Sequence, residues 1–249
     1  MNKNNLSDKR GQLSIFIIIA IMLVASFVLF ILIRERIQSR IAMPEINAVR
    51  TYIEQCIEDT GAEVVYEIGE NGGYFFPPEL STGSGVAYYY INKESQMPSK
   101  AQIENEISLY LNEKLFFCTR NFDNFPNLEI IQGEISSDVS IKSEEVVLNV
   151  RYPVRISRDN DTAVIRDFNS IKIPVRFGIV YDSIRETIDR QEPSRGICIS
   201  CILEISLKND LYVNMFDYDE ETVILTFRDE NSKINEKAFR FVFASRYEK

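Results

Sequence analysis

Apolar residues follow three successive patterns along this chain. Residues 13–33 form a continuous apolar run without charge, Pro or Gly, and as a helix they would cover ~30 Å, about one hydrocarbon core. Apolar positions then recur every three or four residues, which predicts amphipathic helices. From residue 126 they recur mainly every second residue, which predicts half-buried strands. We therefore expect a tail at 1–12, a transmembrane helix at 13–33, a helical membrane-proximal region at 34–125 and a β-rich domain at 126–249.

The first helix of the membrane-proximal region is expected to begin at Pro44, since proline suits a first helical turn. Gly61 is its expected end, unless the apolar pattern resumes through residues 64–68. Its predicted buried face consists of Ile46, Val49, Ile53, Cys56 and Ile57.

A strand and a second helix follow in the same region. Residues 86–91 include three adjacent tyrosines, and their β-propensity predicts a strand with rings on both faces, one side buried and the other half-exposed. The second helix is marked by Ser99 and Gln102, which have the spacing of a capping box. Its predicted apolar stripe is Ile103, Ile107, Tyr110, Leu111 and Leu115.

The β-rich domain is dominated by one long alternating segment. All even positions from Val146 to Ile156 are apolar, and Pro153 predicts an edge or a bulge in this strand. One inserted helix is expected near residues 179–190. The further predicted strands are 171–177, 203–207, 211–215, 223–227 and 239–243, with turns at 208–210, 217–221 and 229–237. The expected fold is α+β, with a mostly antiparallel, sandwich-like body.

Charge and composition exclude several classes of function. The chain has 28 Lys and Arg against 37 Asp and Glu. The excess of acid lies after residue 43, so we expect no nucleic-acid partner. The absence of His removes Ser-His and Cys-His nucleophile pairs and His-ligated zinc. No catalytic set is assembled in the sequence, so we expect a non-enzymatic protein without a cofactor or a metal site.

The tail and the apolar run indicate a signal-anchor that stays in the membrane. Lys9 and Arg10 precede Gly11 and Gln12, and the apolar helix follows at once. This junction resembles the class III, prepilin-type signal of archaeal surface proteins, which implies cleavage between Gly11 and Gln12. Type IV pilins carry Glu five residues into the mature chain where this chain has Phe16, which argues against pilus-like polymerisation. An uncut anchor is the alternative, and in both cases we place the tail in the cytoplasm and the large domain outside.

Most of the remaining chain resembles a group of uncharacterised, membrane-anchored archaeal proteins. The segments that carry the likeness are IEQCIEDTGAEVVYEIGENGGYFFPP, IENEISLYLNEKLFFC and FRFVFASRYE. The resemblance implies an anchored extracytoplasmic domain and brings no activity with it.

Four cysteines are candidates for disulfides in an oxidising compartment, with three possible connectivities. We expect Cys56 to pair with Cys118, because each lies on the apolar face of a helix, and Cys198 to pair locally with Cys201. The latter two also form a C-x-x-C motif, the spacing of thiol–disulfide oxidoreductases. The motif is expected to lead into a strand, so we rank a structural bridge first, a redox site second and a metal site last.

Two acidic clusters and a sequon complete the candidate sites. Residues 159–161 and 217–221 lack the ligand pattern of an EF-hand and are interpreted as solvated hairpin tips. Asn160 begins an N-x-T sequon and is a glycosylation candidate if the domain is extracytoplasmic.

These features favour a non-enzymatic, single-pass surface or envelope protein, either a pilin-like structural subunit or an interaction component. Its partners would be membrane lipid around residues 13–33 and a homo-oligomer or other envelope proteins. One alternative is an anchored thiol–disulfide protein that uses Cys198 and Cys201. A ligand-sensing ectodomain is the third hypothesis, and it is disfavoured because the short tail holds no signalling module.

Overall fold

The computed structural model describes residues 18–30, 44–119, 122–159, 161–191 and 196–247. The chain divides into two compact units, 1–48 and 49–249. In the first unit, helix α1 covers residues 18–30, and all of its side chains are exposed. Both ends of the predicted span 13–33 lie outside the described residues. Among the helices that the structure describes, none is both long and apolar enough to cross a membrane.

The described elements confirm the α+β class. The helices after α1 are α2 (Pro44–Glu70), α3 (Lys100–Thr119), α4 (Phe177–Asp189) and α5 (Ile199–Asn209). The strands are β1 (Tyr88–Ile91), β2 (Glu94–Ser95), β3 (Glu129–Gln132), β4 (Ser136–Ile141), β5 (Val146–Arg158), β6 (Asp161–Ile173), β7 (Tyr212–Asp217), β8 (Thr222–Ile234) and β9 (Lys237–Arg246).

Helix α2 starts at Pro44 as predicted but does not end at Gly61. At Gly61 the helix lies directly against a sheet, because an added Cβ would overlap the Leu148 side chain and would lie 3.5 Å from Ile173 Cδ1. The apolar face therefore continues to Ile68, which is fully buried. The glycine serves close helix–sheet packing at this position, so the predicted stop is wrong and the alternative, an apolar pattern that resumes through residues 64–68, is confirmed.

Helix α3 confirms both of its sequence signals. The Ser99 backbone N–H donates to Gln102 Oε1 at 2.8 Å, and the Gln102 N–H donates to Ser99 Oγ at 3.3 Å, which together form a capping box. The five predicted stripe residues are all buried.

One sheet has the strand order β2-β1-β9-β8-β7. Only β1 and β9 pair in parallel, and the other pairs are antiparallel. Because β1 belongs to the predicted helical region and β9 to the β-rich domain, these two regions share a sheet. Tyr89 on one face and Tyr90 on the other are buried, while Tyr88, beside Tyr90, is half-buried, so the second face is covered more fully than expected.

The second sheet is built around β5. Strands β3 and β4 pair with one edge of β5, and β6 pairs with the other. Every even position from Val146 to Ile156 is buried, which confirms the alternation. Register shifts between Arg151 and Val154 in the pairing with β6 confirm the predicted bulge at Pro153. The edge alternative is wrong, because β5 has neighbours on both sides.

Three predicted elements differ from the structure. Residues 203–207 belong to α5, so two helices interrupt the strands instead of one. In this helix Ile202 and Ile205 are buried, whereas Leu203 and Leu207, two positions of the predicted strand, are exposed. The run 171–177 ends as a strand at Ile173, and α4 begins at Phe177. Strand β8 continues through most of the predicted turn 229–237, which a bulge after Asp229 allows.

Candidate functional site

The Cys198–Cys201 pair lies at the start of a helix. Cys198 is the N-cap of α5, and its Sγ accepts a hydrogen bond from the Cys201 backbone N–H at 3.3 Å. The two Cα atoms are 5.2 Å apart, and the cysteines form a disulfide. The expectation that this motif leads into a strand is wrong. The motif instead begins a helix, and this is the position that the first cysteine occupies in redox-active C-x-x-C motifs.

Gln191 holds the cysteine segment against the preceding helix. Its Oε1 accepts from the Cys198 backbone N–H at 3.2 Å, and its Nε2 donates to the Thr187 carbonyl at 3.1 Å. The Gln191 side chain is buried. No local sequence pattern indicates this role, because the Gln191 side chain and the Cys198 N–H meet only in the folded chain.

A recess of about 370 Å³ opens beside the disulfide. It is lined by residues 196–201 and by Arg190 of the preceding turn. The Arg190 guanidinium forms ion pairs with Glu186 and with Glu204, the latter at 3.0 Å. Because this charge is already compensated, stabilisation of a thiolate at Cys198 rests mainly on the N–H groups at the N-terminus of α5.

An exposed apolar stripe runs along α5 from the disulfide. Ile199, Leu203 and Leu207 are 62%, 58% and 74% exposed and recur at every fourth position, so they share one face of the helix. The opposite face is buried through Ile202 and Ile205. The disulfide therefore lies at one end of an apolar surface that no other described residue covers.

The second disulfide has a different environment. Cys56 of α2 and Cys118 of α3 have their Cα atoms 5.8 Å apart, and Cys56 is buried. Cys56–Cys118 and Cys198–Cys201 are the two pairs expected from the sequence. The Cys56–Cys118 bridge joins α2 to α3, with Cys56 buried and Cys118 half-buried, so we assign it a structural role.

Within the described residues, the remaining predicted sites do not assemble into a functional centre. Gly11, Gln12 and Asn160 lie outside the described residues. Asp219, in the hairpin between β7 and β8, accepts backbone N–H groups of Glu221 and Thr222 at 2.9 and 2.7 Å, and these bonds lower the pKa of its carboxyl group. This carboxylate shapes the turn, and no group of metal-ligating residues occurs within the described ranges.

A cleft of about 940 Å³ lies beside the Cys56–Cys118 disulfide. Its lining mixes carboxylates such as Glu58 and Glu63 with Lys114, Lys172 and Lys233. Lys114 already pairs with Glu63 at 3.8 Å, and Lys172 pairs with Glu145 at 3.0 Å. Because these opposite charges neutralise one another, the open cleft does not present a set of like charges to a ligand.

Comparison with known proteins provides no family assignment. No protein-family model matches this chain, and neither the curated proteins nor the solved structures contain a match.

Proposed function

We propose that this protein carries out thiol–disulfide exchange through Cys198 and Cys201. The observation that carries the proposal is the position of Cys198 as the N-cap of α5, with its Sγ accepting the Cys201 N–H. Redox-active C-x-x-C motifs place the first cysteine at a helix N-terminus, where the helix dipole stabilises the thiolate. Both cysteines are also partly exposed, so a substrate can reach them.

The proposed exchange transfers two electrons from substrate thiols to the Cys198–Cys201 disulfide. A substrate thiolate attacks Cys198 Sγ, the Cys198–Cys201 bond breaks, and Cys201 leaves as a thiolate. A second substrate thiolate then attacks the substrate sulfur of the mixed disulfide and displaces Cys198. The substrate gains a disulfide, and this chain becomes a dithiol that a second disulfide-containing protein reoxidises.

The apolar stripe of α5 indicates the class of substrate. Ile199 adjoins the disulfide, and Leu203 and Leu207 extend the same face. An exposed apolar surface beside a reactive disulfide suits an extended, incompletely folded polypeptide that presents apolar side chains with its cysteines.

The test is disulfide exchange by the full chain in neutral detergent, measured as insulin reduction in the presence of dithiothreitol. The wild-type chain should accelerate the reaction, Cys198→Ser should abolish the acceleration, and Cys201→Ser should accumulate a mixed disulfide with substrate. Lys208→Gln, in the last turn of the same helix, is the matched control and should retain full activity. A wild-type rate equal to that of dithiothreitol alone, or an active Cys198→Ser variant, would overturn the proposal.

The second candidate is a non-enzymatic, single-pass surface or envelope protein. It is supported by the apolar run 13–33 and by the Cys56–Cys118 bridge, because such disulfides persist in oxidising compartments outside the cytoplasm. In this proposal residues 13–33 anchor the chain in lipid, the tail is cytoplasmic, and the domain binds a second copy or another envelope protein.

Protease treatment of intact cells tests the second candidate. An extracytoplasmic domain should be degraded while the cells remain intact, and cross-linking should recover a complex that Cys198→Ser leaves unchanged. Full protection of the domain, with its degradation only after lysis, would contradict this topology.

A further inference from the structure

The outer face of the β5 sheet carries a cluster of arginines. Along β5 the even positions enter the core, so Arg151, Pro153 and Arg155 lie on the opposite face. Arg166 of β6 lines the same groove, which has a volume of about 440 Å³. Three guanidinium groups thus surround one depression on a chain whose net charge is −9.

Among the arginines that the structure describes, these three differ from the others in having no partner. Arg151, Arg155 and Arg166 form neither an ion pair nor a hydrogen bond within the part of the chain that the structure describes. Arg158 is engaged, and the arginines with carboxylate partners are Arg50, Arg176, Arg185, Arg190, Arg228, Arg240 and Arg246. Among the described arginines, the three without a partner are therefore the ones that line this groove.

The floor of the groove is low because of Gly133 and Pro153. The Gly133 N–H donates to the Pro153 carbonyl at 2.7 Å, which holds the segment after β3 against β5. An added Cβ at Gly133 would lie 3.2 Å from Pro153 Cβ and would raise the floor. The two residues leave an open space between the arginines.

The walls combine charge with apolar surface. Ile131 of β3 and Val164 of β6 lie in register on either side of Arg155, and both are exposed. Asp167 lies in register opposite Arg151 but forms no ion pair with it within the described residues. Three arginines and no carboxylate are among the residues that line the groove, so positive charge is concentrated there although the domain is acidic.

We propose that this groove binds a tetrahedral oxyanion, a phosphate or sulfate group, through Arg151, Arg155 and Arg166. Each guanidinium offers a planar fork of donors that fits two oxygens of such a group. The Cα atoms of Arg151 and Arg155 are at most ~13 Å apart along the bulged strand, and both residues line the same groove. The oxyanion is either free or the end of an ester on a lipid headgroup or an envelope polymer, and the chemistry of recognition is the same.

Calorimetric titration of the full chain with inorganic phosphate, in neutral detergent at low ionic strength, tests the site. Saturable binding is expected, and each of Arg151→Gln, Arg155→Gln and Arg166→Gln should weaken it by about tenfold. Arg155→Lys keeps the charge but loses the fork, so it should bind with intermediate affinity. Arg185→Gln removes an exposed arginine that is ion-paired elsewhere, and this control should bind as wild type does.

Glycerol phosphate and inorganic sulfate, titrated separately, identify the source of the anion. Tighter binding of glycerol phosphate supports an ester ligand, and equal or weaker binding supports the free anion. Thermal unfolding of each variant separates loss of binding from loss of fold. The proposal is overturned if phosphate shows no saturable binding, or if a folded triple Gln variant binds it as tightly as wild type.

Discussion

Asp229 and Arg176 form an ion pair whose carboxylate is fully buried. Arg176 Nε donates to Asp229 Oδ2 at 3.0 Å and its Nη2 donates to Oδ1, and the same carboxylate accepts from Ser232 Oγ and from the Asn231 N–H. The hydrogen bond to Asp229 raises the pKa of Arg176. Asp229 lies where the β8 bulge begins and Arg176 directly precedes α4, so the pair joins the sheet to the helix.

Asp229→Asn should lower the free energy of unfolding by about 3–5 kcal/mol, because it leaves the Arg176 charge without its buried partner. Urea denaturation of the full chain in neutral detergent measures the change. Asp182→Asn breaks the exposed pair with Arg185 and should cost about 1 kcal/mol or less. Equal costs for the two substitutions would contradict the structural importance of the buried pair.

The two disulfides should differ in how much they stabilise the fold. Cys56 and Cys118 are separated by 62 positions and Cys198 and Cys201 by 3. In the chain-entropy model these loops correspond to about 4 and about 2 kcal/mol of stabilisation. Replacing each pair with Ala and measuring urea denaturation without reductant should give the larger loss for Cys56 and Cys118; the reverse order would contradict this assignment.

Gly69→Ala should destabilise the protein even though alanine favours a helix by about 1 kcal/mol. An added Cβ would overlap the Arg240 carbonyl oxygen and would come within 2.7 Å of the Phe239 ring. Backbone cannot move aside as a flexible side chain can, so α2 would have to shift away from β9. We expect a net loss of about 1–3 kcal/mol in thermal or urea denaturation, and an unchanged or higher stability would show that the contact is not close.

Alkaline pH should destabilise the fold through its buried tyrosines. Burial raises the pKa of Tyr247 to about 12, against 10.0 for the free side chain. The unfolded chain therefore loses its proton first, so this contribution is complete below about pH 10 and is lost as the pH rises to about 12, by about 2–3 kcal/mol at most.

Urea denaturation at about pH 9, below the transition, and at about pH 11.5, within it, measures most of this loss. Tyr247→Phe should show a smaller decrease between these two pH values than wild type does. Tyr212→Phe, at an exposed position, is the control and should behave as wild type. An identical decrease in wild type and Tyr247→Phe would assign the pH dependence to other groups.

The intact mass of the membrane-extracted protein tests the junction at Gly11 and Gln12. Prepilin-type processing should remove residues 1–11, and alkylation without reductant should modify no cysteine in the extracytoplasmic protein. Gly11→Leu is the matched variant and should keep the full mass. A chain of full mass in wild type would favour the uncut anchor, and four alkylated cysteines would contradict the proposed location of the domain.

The sequence predicted correctly those helices and strands whose hydrophobic pattern or capping residues lie within a few residues of one another. The alternation in β5 and the capping box of α3 needed no information from other parts of the chain, since burial at period two and paired caps are local properties. The apolar helix faces also placed Cys56 and Cys118 where they meet, because residues on buried faces lie inside the same core.

Contacts between distant segments decided the remainder. Leu203, Ile205 and Leu207 fit both a strand and a helix, and packing of Ile202 and Ile205 into the core selected the helix that makes Cys198 an N-cap. The pattern around Gly61 fits both a helix end and a continuing helix, and close packing against Leu148 selects the continuing helix.

The arginine groove also required the tertiary structure. It joins Arg151 and Arg155 of β5 to Arg166 of β6 across a bulge, and only strand register shows which arginines meet and which have carboxylate partners. The sequence by itself therefore determined the class of the fold, its strongest helices and strands and its cysteine pairs. The tertiary structure decided both proposed sites, because each depends on groups brought together by long-range packing, which local spacing does not encode.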